Sequence, residues 1–253
     1  MNEKQEEAET EELQRWTREQ LELKAKVVQS DAERWQQEPG FIGLERVAGA
    51  DISFSKKNEG EACISLVVLE FPTLQVVYES CEMVFMTASY VPGFLAFREV
   101  NPIATALTAL CKSRPQLAPQ VIFVDGNGVL HPRGFGLACH LGVLVDLPCI
   151  GVAKDLLCVD GLEKNDNHRA KVKMLKTAGD SFPLVGISGK TLGTALLGCS
   201  GCSNPVYISS VTAYRWTRQP DSPLHASVTE CQNPFGRLTF VHESFFVSGS
   251  KVG

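Results

Sequence analysis

Val121-Ile122-Phe123-Val124-Asp125-Gly126-Asn127-Gly128-Val129-Leu130-His131-Pro132-Arg133-Gly134-Phe135-Gly136 runs into Leu137-Ala138-Cys139-His140-Leu141 and, a little later, into Cys149-Ile150-Gly151-Val152-Ala153-Lys154. The runs 120–124 and 149–153 are short and almost wholly apolar, which is the pattern of strands buried on both faces. Between them, 136–145 reads as a helix. Two short buried strands joined by a helix form a parallel βαβ unit, and this decides the fold class as α/β.

Working outward, three β-rich runs precede this unit, at 46–54, 62–71 and 74–85. Asn58-Glu59-Gly60 and Phe71-Pro72-Thr73 supply the connections, so the runs form an antiparallel meander. Residues 95–111 read as a helix in which Pro102 marks a kink or a fresh start. An amphipathic helix is expected over 11–31, with Leu13, Trp16, Leu23, Val27 and Val28 on its apolar side, after an acidic tail at 1–10. Downstream, 165–180 holds a basic helix and a turn, and 184–188, 192–199 and 206–209 are strand-like. The sum is a mixed central sheet flanked by helices. Beyond residue 209 the character changes. Residues 210–253 carry Pro220, Pro223 and Pro234, and no sustained period beyond short strand-like runs at 238–241 and 245–247. A poorly ordered tail is expected there.

Composition narrows the class without naming a partner. An apolar fraction of 44% is enough for a sizeable core. The most apolar region, 137–153, is broken by Asp146 and Pro148 and cannot cross a bilayer. The start of the chain is rich in glutamate and does not read as a secretory leader. Cys63, Cys139 and Cys149 sit in apolar surroundings that suit reduced thiols, so a cytoplasmic and nuclear or nucleolar location is expected. Cys199 and Cys202 form a lone CxxC with no second pair for a zinc site. A formal net charge of −5 argues against bulk attraction to nucleic acid, although an acidic metal centre would itself contribute to that sum.

Three carboxylates stand out by their surroundings. Asp51 lies within Val47-Ala48-Gly49-Ala50-Asp51-Ile52-Ser53-Phe54, and Asp125 ends an apolar strand. A carboxylate in such a place needs a partner, because burying an unpaired charge is costly. With Glu99 from the helix that follows the meander, they make a donor set for a hard cation such as Mg²⁺. The alternative is a set of paired core acids or helix caps. Four glycines after Asp125 allow close backbone approach and present N–H groups, with His131 and Arg133 turned towards phosphate. Lys154 ends the next parallel strand, at the same rim where ligands gather in such sheets. Tyr90-Val91-Pro92-Gly93 forms a stiff aromatic loop suited to wedging between bases, or else a turn with a packed tyrosine. A phosphotransferase using the glycine-rich loop for nucleotide phosphates is a weak third reading: Gly189-Lys190-Thr191 lacks the required upstream glycine.

Gly49 to Ser53, Tyr90 to Gly93 with Phe94-Leu95-Ala96-Phe97-Arg98-Glu99, Val124 to Gly136, and Ile150 to Lys154 together resemble the endonuclease V family, in its order and spacing. The similarity runs from about residue 11 to 209 and is nearest to the vertebrate branch. The resemblance implies a ribonuclease H-like fold and hydrolysis dependent on Mg²⁺, with Mn²⁺ able to substitute. It implies cutting of inosine-containing RNA, and of single-stranded or deaminated DNA, at the second phosphodiester 3′ of the inosine. Carried over by motif, Asp51 and Asp125 are metal ligands and Glu99 holds metal or its water. His131 and Lys154 assist at the scissile phosphate, Tyr90 and Pro92 form the wedge, and Gly126, Gly128 and Gly151 line the base pocket.

The resemblance stops at Ser209. The family continues there with Val-Gly-His, a helix, and a later helix bearing an Ala-Asp pair, and that His and Asp belong to the metal site. Here Ser210-Val211-Thr212-Ala213-Tyr214 follows, and the family's C-terminal helices are missing, as after alternative splicing or a shifted frame. Two functions therefore compete: an endonuclease weakened by this change, and a chain that binds inosine-containing RNA without cutting it.

Overall fold

The computed structural model describes residues 3–31, 33–58, 60–86, 91, 93–199, 202–210, 228–233, 236–241 and 248–251. The first strand, β1 (Arg46–Phe54), pairs antiparallel with β2 (Glu61–Glu70), and β2 with β3 (Val76–Phe85), as the meander requires. On its other side β1 runs parallel to β4 (Val121–Asp125), which runs parallel to β5 (Cys149–Ala153). β6 (Ser181–Val185), β7 (Thr191–Leu196) and β8 (Val206–Ser210) complete an eight-stranded mixed sheet of order β3-β2-β1-β4-β5-β8-β7-β6. The α/β reading and the mixed sheet are both present.

Five helices accompany the sheet among the described residues: α1 (Glu3–Lys24), α2 (Arg34–Gln37), α3 (Leu95–Ser113), α4 (Leu137–Val145) and α5 (Asp166–Met174). Ala48, Ala50, Ile64, Leu66 and Val68 share one core with Val100, Ile103, Leu107 and Leu110 of α3 and Ala138 and Leu141 of α4. A second cluster joins Val47, Val67, Leu69, Val121, Ile150 and Val152 to Trp35 of α2. β2 therefore reads apolar almost throughout, because neighbours cover it on both sides.

Two expectations about helices need correction. α1 starts at Glu3, within the segment expected as an acidic tail, and stops at Lys24, short of residue 31. α3 runs through Pro102 as one element, so of the kink or fresh start expected there the fresh start is ruled out. An interior proline costs about 3 kcal/mol, whereas each large apolar side chain of the stripe Val100-Ile103-Leu107-Leu110 returns about 1.5–3 kcal/mol on burial. Packing wins. Among the described residues of the tail, β9 (Val228–Asn233), β10 (Gly236–Val241) and β11 (Ser248–Lys251) form a separate antiparallel sheet of order β11-β10-β9. β10 takes in the run expected at 238–241, while 245–247 lies outside the described residues.

Candidate active site

Parallel pairing assembles the acidic centre. Ala50 pairs with Val124 across β1 and β4, so the next residue on each strand, Asp51 and Asp125, comes to the same end of the sheet side by side. Asp51 is 7% exposed and Glu99, on the second turn of α3, is 8% exposed. Asp125 pairs with Val152 of β5, and two residues on Lys154 reaches back to place Nζ 3.0 Å from Asp125 Oδ2. Asp125 and Lys154, read from the sequence as sharing one rim, are in contact, and Asp51 and Glu99 lie close enough to act on each other's charge and on that of Asp125.

Their electrostatics follow from burial and mutual repulsion. Desolvation, then the charge of Asp125, pushes the Asp51 carboxyl up to about 6, against the opposing pull of Lys154. Burial, then Asp51, then Asp125, pushes Glu99 up to about 8, only partly offset by Arg98. Burial also raises Asp125, and Lys154 lowers it through charge and hydrogen bond. Three carboxylates that oppose one another's ionisation, all oxygen donors, are the chemistry that a hard divalent cation relieves. The donor set therefore fits such an ion. Among the described residues, however, no group of three or more His, Cys, Asp or Glu side chains is already drawn into a cage for a metal.

His131 stands on the same loop but is held by different contacts. Its Nδ1 accepts the Arg133 backbone N–H at 3.2 Å, so the neutral ring carries its proton on Nε2. Burial, Arg133 and Lys24 depress its pKa. The loop in turn is braced by α1: Gln20 Nε2 donates to Phe135 O at 3.1 Å and Lys24 Nζ donates to Arg133 O at 2.6 Å, while Trp16 stacks on Phe97 of α3 at 5.4 Å. Arg133 lies over the Phe94 ring, 4.4 Å from its centroid, and remains exposed.

The glycine-rich loop also differs from its expected role as an array of free donors. Gly126 N–H donates to Val152 O, Gly134 N–H to His131 O, and Gly136 N–H to Gly128 O. The Gly128 N–H donates to the buried Ser209 Oγ at 2.6 Å. Buried N–H groups find protein partners when no ligand supplies one. Gly151 answers a packing need, since a Cβ there would lie 2.6 Å from both Gly126 O and Gly128 N. Tyr90 and Pro92 lie outside the described residues.

Sequence reasoning missed Ser209, Gln20 and Lys24, which meet their loop partners across separations of 81, 115 and 109 residues. No local pattern marks such pairs. Cys199 and Cys202 form a disulfide, where the sequence suggested neither a metal nor a redox role. No helix among the described residues is long and apolar enough to cross a membrane.

Comparison with known proteins agrees with this geometry. The family described as Endonuclease V matches residues 21–215. Human Endonuclease V is 58% identical over 197 residues, covering 78% of this chain and 70% of the human protein. The mouse protein is 55% identical over 197 residues, covering 78% of this chain and 58% of its own length. Among solved structures, the catalytic domain of human Endonuclease V superposes with a TM-score of 0.77 at 55% identity, covering 81% of this chain and 83% of that one. Endonuclease V of Ciona intestinalis, in complex with a 24mer DNA containing an inosine followed by a ribo-adenosine, gives 0.72 at 32% identity, covering 81% and 85%.

Proposed function

The chain belongs to the endonuclease V family, and on that premise we propose that it is a metal-dependent nuclease acting on inosine-containing RNA. The cut falls at the second phosphodiester 3′ of the inosine, and deaminated or single-stranded DNA is a further substrate class. The observation that carries this reading is the pairing of Asp51 and Asp125 at the ends of adjacent parallel strands, with Glu99 and Lys154 against them. The ribo-adenosine after the inosine in the Ciona complex supports a ribose near the cut.

Asp51 and Asp125, with Glu99 beside them, would hold Mg²⁺, or Mn²⁺ in its place; bound there, the cation activates the attacking water and offsets charge on the leaving oxygen. Lys154 keeps one hydrogen bond on Asp125 and presents a half-exposed ammonium to the phosphate. His131, neutral at pH 7, offers an Nε2 proton to a phosphate oxygen. Tyr90 and Pro92 serve as the wedge. Gly126, Gly128 and Gly151 shape the base pocket through close backbone approach, because the Gly126 and Gly128 donors are already engaged.

Residues 210–253 are proposed as a tail that departs from the family pattern, with the family match ending at residue 215. The chain turns to Ser210-Val211 where the family has Val-Gly-His, and this favours a second reading: binding of inosine-containing RNA without cleavage. One experiment separates the two. The full chain is mixed with a labelled oligoribonucleotide carrying one inosine, and cleavage and binding are measured with Mg²⁺, with Mn²⁺ and with chelator. Metal-dependent cutting 3′ of the inosine, reduced at least about 100-fold in Asp51→Asn and Asp125→Asn, supports the nuclease. Inosine-selective binding with no product in single turnover supports the binder. Cutting that persists in chelator overturns the metal site.

A further inference from the structure

Two thiols away from the acidic centre lie unusually close together. Cys63 on β2 and Cys81 on β3 approach to 3.3 Å between sulfur atoms, the Cys63 thiol donating. The ladder explains this: Cys63 pairs with Met83 and Ser65 with Cys81, so the cysteines are diagonal neighbours on one face of adjacent antiparallel strands. Both are thiols, Cys63 wholly buried and Cys81 exposed. Cys81 Sγ also lies 3.3 Å from Ser65 Oγ, and Ser65 is the ladder partner of Asp51 on β1.

We propose that Cys63 and Cys81 are an oxidation site, which forms a disulfide between β2 and β3 when the protein meets a hydroperoxide. Access sets the order of events. The exposed Cys81 sulfur, as thiolate, attacks the peroxide; an S–O bond forms, the O–O bond breaks, and one molecule of water or alcohol leaves. Cys63 then attacks the Cys81 sulfenic sulfur, the S–S bond forms, and the S–O oxygen departs as water with the remaining proton. The two thiols lose two electrons, and the peroxide gains them. A disulfide bond is about 2.0 Å long, so the sulfurs must close further. β3 can follow because among the described residues it is an edge strand paired only with β2. The bond pins that edge and withdraws Cys81 from the Ser65 hydroxyl, one ladder step from Asp51.

The test uses the full chain, reduced, freed of reductant and treated with stoichiometric hydrogen peroxide. It is then alkylated in denaturant, digested and mapped by mass spectrometry. A peptide joining Cys63 to Cys81, lost on treatment with dithiothreitol and absent from Cys81→Ser, is the expected result. Amide exchange in β3 should slow at least about tenfold in the cross-linked parent and stay unchanged in peroxide-treated Cys81→Ser. Alkylation of both cysteines after peroxide overturns the proposal. So does oxygen added at Cys81 or Met83 without a cross-link, or a Cys81 link to any other cysteine. Unchanged β3 exchange in a cross-linked sample overturns the pinning.

Discussion

Lys154 Nζ lies 3.0 Å from Asp125 Oδ2, so the ammonium that follows β5 is bonded to the carboxylate that ends β4. Sequence places these residues 29 positions apart; the parallel pairing of the two strands brings them to one rim. Lys154 both restrains the Asp125 charge and adds positive potential where a phosphate would sit.

Lys154→Met keeps the stem and removes the charge. Asp125 should then titrate higher, because its lowering contributions come from Lys154. Cleavage of the inosine oligonucleotide should fall about 10–100-fold while the fold persists, since a half-exposed ion pair contributes at most about 1 kcal/mol. Single-turnover rates with a thermal melt check both. An unchanged rate would assign Lys154 to the surface.

Gly151→Ala forces a Cβ to within 2.6 Å of Gly126 O and Gly128 N. Backbone on both sides leaves little room to yield, so a stability loss of about 1–3 kcal/mol is expected. The displaced loop carries His131 and adjoins Asp125, and activity should fall by more than stability alone explains. Urea denaturation beside rate measurements tests this.

Ser209→Ala leaves the buried Gly128 N–H without its acceptor. The expected cost is about 1–3 kcal/mol, read as a lower denaturation midpoint. Ser209→Thr, which retains a hydroxyl, should recover part of it if the methyl is accommodated. Equal stability of parent and alanine variant would show that the hydrogen bond contributes nothing net.

His140 supplies a pH signature. Burial against Phe97 and Phe135 lowers its pKa to about 4 from an ordinary 6.5. The unfolded chain therefore takes up the proton first. This stability is fully present above pH 6.5, declines as pH falls from 6.5 towards 4, and has gone below that. The upper bound is about 3 kcal/mol. His140→Leu should remove that part of the acid sensitivity, seen as a flatter difference between denaturation midpoints across this range. Parallel pH profiles for the two proteins would remove His140 as the cause.

Local sequence pattern carried the fold a long way. The apolar runs at 120–124 and 149–153 and the meander before them required only strand length, alternation and turn chemistry, and the mixed sheet followed. The helix makes no fresh start at Pro102, because the stripe of α3 that packs on the sheet outweighs an intrinsic propensity of a few kcal/mol. The limits of α1 misled because apolar spacing says where a helix can bury a face, not where its backbone ends.

For the site, the sequence by itself nominated the candidates: Asp51, Glu99, Asp125, His131 and Lys154 stood out by residue type, apolar surroundings and motif order. Tertiary structure alone decided how they meet. Parallel register aligned Asp51 with Asp125, β5 returned Lys154 to Asp125, and Ser209, Gln20 and Lys24 occupied the loop's N–H and carbonyl groups. The physical reason is range. Strand and turn preferences act over a few neighbours, whereas a hydrogen bond or a charge pair depends on distance in space, which only the folded chain sets.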